Sequence, residues 1–61
     1  MPNITTKELS ALEDQLNTEI MLIKKFKFFA NMCTETILQT KCEQIAFKHQ
    51  EHYDKLLKYL S

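Results

Sequence analysis

Leu9, Leu12, Leu16, Glu19, Ile23, Phe26, Ala30 and Cys33 follow one another at alternating steps of three and four residues. That rhythm is the signature of a helix packing one face, sustained here without a slip. A strand repeats every two residues and cannot produce it. Ile20, Leu22 and Phe29 widen the apolar face beyond a narrow stripe, as a bundle helix requires. The start is marked by "TTKE": Thr5 is placed to cap, with Glu8 at the third helical position. Every member of the seam is apolar except Glu19.

A second seam runs through Leu38, Cys42, Ile45, His49, His52, Leu56 and Tyr59, again at steps of four and three. Ala46, Tyr53, Leu57 and Leu60 lie beside it. Lys41, Glu43, Lys48, Gln50, Glu51, Asp54, Lys55 and Lys58 read as the solvent face. This helix begins in "TET", Thr34 to Thr36, whose side chains can cap it. The pattern predicts helix 1 over about residues 6–32 and helix 2 over about 35–60, joined by a short link near Cys33 to Glu35. Short links make antiparallel neighbours. The expected fold is all-α: one two-helix antiparallel hairpin over residues 1–61, with only a polar start before the first helix.

Composition narrows the alternatives. The chain has no glycine and one proline, Pro2, so it has few sites for the tight turns of an all-β fold. Eight lysines balance eight carboxylates and arginine is absent, unlike a nucleic-acid binder. No apolar run approaches the roughly 20 residues that span a bilayer. The opening "MPNITTKELS" lacks the basic and apolar segments of a signal peptide, which predicts cytoplasmic synthesis and reduced thiols. In "KKFKFF", Phe26 and Phe29 are expected to turn inward and Lys24, Lys25 and Lys27 outward, with Phe28 left as an exposed contact. Neither a membrane surface nor nucleic acid is an expected partner.

Registering the two helices on a turn centred near Cys33 and Thr34 sets position 19 level with about position 48. Glu19 then faces His49, with His52 one turn further along, and both imidazoles lie on the packed stripe. The polar interruptions of two long seams therefore converge. Two readings follow. The three side chains can pair with one another as a buried polar layer that fixes register. Alternatively, Glu19, His49 and His52 can ligate a divalent metal, zinc or iron, since imidazole and carboxylate suit both.

Two helices of this length cannot bury Leu22, Phe26, Phe28, Phe29 and Leu57 between them. Self-association is the expected remedy, and a two-fold pair of hairpins makes a four-helix bundle. Its core would hold two glutamates and four histidines, with about one ion per pair if metal binds. Cys42 reads as a small core residue and Cys33 as a turn residue. About two helical turns, on the order of 10 Å, separate them, which predicts no bridge within one hairpin. No companion side chains for nucleophilic catalysis accompany either thiol; an enzyme is not expected, with a metal-dependent redox activity at the Glu/His layer as the alternative. A helical adaptor whose bundle face receives a larger partner is a further reading.

In ferritin-like di-metal bundles, one helix of each pair supplies a Glu and the next a Glu-x-x-His. "AFKHQEH" resembles that motif, with His49 in the place of the glutamate and His52 in that of the histidine. More narrowly, "LEDQLNTEIMLIKKFKFFANMC" followed by "EQIAFKHQEHYDKLLKYL" resembles the small spore coat protein F-like family of endospore-forming bacteria. The resemblance covers about residues 8–60 and is strongest in His-x-x-His-Tyr and Leu-Leu-x-Tyr-Leu. Family members often carry Asp-Pro where this chain has Glu35-Thr36. The resemblance implies a ferritin-like helical protein of the spore coat, self-associating and in contact with other coat proteins.

Overall fold

In a computed structural model that describes residues 3–60, helix α1 runs from Thr6 to Met32 and helix α2 from Thr36 to Leu57. A single 3-10 turn, Lys58–Leu60, continues α2. Met1 and Pro2, part of the polar start, lie outside the described residues. The two helices and the short link between them match the predicted hairpin. The expected end of helix 2 falls in the tightened last turn, where α-helices commonly pass into 3-10 geometry.

The start of α1 is fixed by chemistry. The Glu8 N–H donates to Thr5 Oγ1 and the Thr5 N–H donates to Glu8 Oε1, each at 3.0 Å. Two backbone donors that the helix leaves unpaired are thereby satisfied. The Glu8 carboxyl is held below its ordinary range by its backbone bond to Thr5, and next by the Thr5 side chain.

The other end has no glycine to close it in a left-handed cap. Cys33 instead leaves the helix in an extended conformation, φ −75° and ψ 132°, while its N–H donates to the Phe29 and Ala30 carbonyls. Glu35 is also extended, at φ −85° and ψ 123°. No described residue takes a positive φ. The cap expected from "TET" is not made: Glu35 is the N-cap of α2 and no side chain bonds to the exposed helix end.

Packing confirms the first seam and corrects the second. Leu16, Glu19, Ile23 and Ala30 are buried on α1, whereas Ala46 alone is buried on α2. The inward residues of α2 are Gln39, Cys42, Ala46, His49, Tyr53 and Leu56, again at steps of three and four, and Leu60 of the 3-10 turn continues them. Leu38, Ile45 and Tyr59, assigned to the seam by sequence, remain 52%, 38% and 60% exposed. The apolar arc of α2 is two stripes wide and α1 covers only one of them. Ala46 lies on the covered stripe, where a small side chain lets two helices approach closely. Phe29, expected inward, is 41% exposed, and Phe28 is exposed as expected. Among the described residues no large side chain is fully buried. The hairpin is a rod, 46 × 14 × 10 Å, with a seam in place of a core.

Candidate functional site

Midway along the rod the α1 seam presents Glu19, a carboxylate buried to 4% exposure. A charge in such a place must be paired. His49 Nδ1 lies 2.6 Å from Glu19 Oε1. Gln15 Nε2 donates to Oε2 at 3.1 Å from one turn earlier on the same helix. His52 Nδ1 lies 3.7 Å from Oε2. Among the described residues, no buried side-chain nitrogen or oxygen lacks a hydrogen-bond partner.

The convergence expected of Glu19, His49 and His52 is therefore present. Glu19 meets His49 most closely, with His52 one turn further along and more distant, as the turn arithmetic predicts. The two histidines also differ from each other. The His49 side chain is mostly covered, whereas His52 is 57% exposed, which corrects the expectation that both lie on the packed stripe. His52 belongs to the uncovered stripe with Leu38, Ile45 and Tyr59, each seven residues from the next.

Burial opposes ionisation of Glu19. The hydrogen bonds from His49 and Gln15, together with the charges of the two imidazoles, outweigh it and hold the carboxyl below its usual value of 4.5. With Glu19 ionised, the short contact is charge-assisted, His49 Nδ1–H donating to the carboxylate.

Aromatic rings extend the site along one face. Phe29 meets Phe26 edge-on at 6.1 Å, Phe26 stacks on His49 at 6.1 Å with planes 17° apart, and His49 meets His52 edge-on at 5.8 Å. Lys25 Nζ lies 5.9 Å above the Phe29 ring. Phe26 thus positions the His49 imidazole from one side while Glu19 anchors it from another.

Gln15 was not singled out from the sequence. Its signal was available, because positions four apart share a helix face and Gln15 precedes Glu19 by that step. One ligand atom from each of Glu19, His49 and His52 lies within 4.8 Å of the others. The group is open on one side through His52.

Comparison with known proteins finds one informative relative. The chain is 33% identical over 57 residues to the uncharacterized protein YuzM of Bacillus subtilis (strain 168), spanning 93% of this chain and 70% of that protein. The chain belongs to the YuzM family. No family model matches it. No solved structure matches it either. No described helix is long and apolar enough to cross a membrane.

Proposed function

We propose that this member of the YuzM family is a small structural protein that pairs through one face of its hairpin into a ferritin-like four-helix bundle. The observation that carries the reading is surface area. The chain exposes 4945 Å². A compact monomer of 7.3 kDa exposes roughly 4200 Å². The excess, about 700 Å², is close to the roughly 800 Å² that each partner contributes to a standard interface.

The uncovered stripe of α2 supplies such a surface. Leu38, Ile45, His52 and Tyr59 stand in line, with Phe29 of α1 exposed beside Phe26 on the face that carries His49. A second copy laid against this face covers the apolar residues and closes the open side of the Glu19 layer. The isologous geometry brings each polar layer toward its own copy. The spore coat as the place of assembly rests on the resemblance of "HQEHYDKLLKYL" to the coat family. Other coat proteins are then the natural neighbours of the assembled bundle.

Sedimentation equilibrium tests the pairing. A two-chain mass at micromolar concentration is expected, and Ile45→Lys should return it to one chain. A native chain that stays monomeric at high concentration refutes it. Fractionation of spores tests the location: the protein should stay with the coat extract and be absent from the washed core.

A second reading, divalent-metal binding, is favoured by the convergence of three ligand atoms within 4.8 Å. A tetrahedral zinc site has ligand atoms about 3.3 Å apart, from zinc–nitrogen bonds of about 2.0–2.1 Å. The exposed His52 has room to turn inward and close that difference. Two imidazoles with one carboxylate suit zinc better than a di-iron pair, which relies on more negative ligands. Zinc titration followed by calorimetry should find a site that His52→Ala removes; no heat of binding in the native chain refutes this reading.

A further inference from the structure

Covering the stripe of α2 leaves other apolar side chains in water. Met21, Phe28 and Met32 of α1 are 60%, 59% and 66% exposed, more than Leu38, Ile45 or Phe29 of the pairing face. Steps of seven and four keep the three on one side of a helix. Met21 and Phe28 each precede a buried seam residue, Ile23 and Ala30, by two positions, and Met32 follows Ala30 by two. Two positions are about half a helical turn, so this stripe lies on the side of α1 turned away from α2.

Lys25 fills the one gap in the stripe. Its Nζ lies 5.9 Å from the centroid of the Phe29 ring. The charge is thereby held toward Phe29, at the edge, and the methylene stem stands between Met21 and Phe28. The intervals from Met21 to Lys25, Phe28 and Met32 are four, three and four, the same from either end. Two such stripes laid antiparallel therefore match. Met21 meets the partner's Met32, and the Lys25 stem meets the partner's Phe28, each contact occurring twice about the two-fold axis. The face of an aromatic ring also favours the ammonium at its rim. Other alignments fail on charge: a parallel pair, or an antiparallel one centred on Lys25, sets Lys25 against the partner's Lys25.

We propose that the outer face of α1 is a second self-association surface, occupied by the same face of another copy running antiparallel. The contact covers about 16 Å of helix and buries less than the roughly 800 Å² of a standard partner face. It is the weaker of the two contacts and forms at about 0.1–1 mM chain. The contact itself stands alone; its larger consequence rests on the paired-bundle reading. A chain with two separate self-complementary faces is bivalent, and copies joined alternately through each extend into a row instead of stopping at one bundle.

Sedimentation velocity from about 10 μM to about 1 mM tests the surface on the native chain, Phe28→Lys, Met32→Lys and Ile45→Lys. The native chain should pass beyond two chains as concentration rises. Phe28→Lys and Met32→Lys should stop at two, and Ile45→Lys should reach two only at the upper end of the range. Circular dichroism should show native helix content in the Phe28 and Met32 variants, since both positions are exposed. A native chain that stops at two and falls to one in Phe28→Lys supports the α1 contact and removes the pairing on α2. The alignment is read by disulfide trapping in chains carrying Cys33→Ser and Cys42→Ser. A mixture of Met21→Cys and Met32→Cys should yield the mixed dimer in excess over either like pair. Association that Phe28→Lys and Met32→Lys leave unchanged across the range, or like pairs trapped as readily as the mixed one, overturns the proposal.

Discussion

Glu19→Ala isolates the buried carboxylate. The substitution removes the acceptor of the 2.6 Å contact with His49 and the 3.1 Å bond from Gln15, and leaves the mostly covered His49 without it. A hydrogen bond to a charged group contributes about 1.5–3 kcal/mol. The His52 contact is long and solvent-exposed, so it adds less than about 1 kcal/mol. The loss of packing at a narrow seam adds to these, and a total near 3 kcal/mol is expected. For a chain of this size that lowers the melting midpoint by about 12–24 °C. Circular dichroism melts at pH 7 and at fixed chain concentration measure it. Replacing both members of the pair, Glu19→Leu with His49→Leu, should recover most of the stability, because an apolar pair leaves no orphaned donor. A Glu19→Ala midpoint within about 2 °C of the native chain, a change below about 0.5 kcal/mol, refutes the assignment of Glu19 as the paired anchor of the fold.

Acid should reveal the same group. The folded Glu19 carboxyl lies below its ordinary value of 4.5, so its contribution is complete above that value and is lost as pH falls through the lower folded one. Melts between pH 6 and about pH 3 should show this loss in the native chain and a flatter profile in Glu19→Gln. Thr5→Ala removes the cap of α1 and should cost about 1 kcal/mol, read as earlier thermal unfolding. Adding zinc should raise the native melting midpoint and leave His52→Ala unmoved, a difference that differential scanning fluorimetry reads directly.

The fold was legible because α1 repeats one face for its whole length and because "TTKE" announces its start. The meeting of Glu19 with His49 was legible for a related reason: a polar residue on a packed stripe needs a partner, and a hairpin offers few. The stripe of α2 was not. Leu38 and Ile45 are larger and more apolar than Gln39 and Ala46, so composition favours the wrong neighbour. Which of two adjacent apolar stripes meets α1 depends on how closely the backbones approach, and the small Ala30 and Ala46 belong to the stripes that do.

The seven-residue interval of Leu38, Ile45, His52 and Tyr59 has a consequence for any helix laid along it. A stripe of identical apolar residues would accept a partner at every two turns, and such a bundle would slide. Three positions of this ruler are interchangeable to an apolar surface and the third in order is not, because it holds an imidazole over a buried carboxylate. Sliding by one interval would press the exposed side of the His52 ring, whose Nδ1 faces Glu19, against a hydrocarbon neighbour. A single histidine thus acts as the notch of a ratchet, making one alignment distinct among several of nearly equal apolar contact.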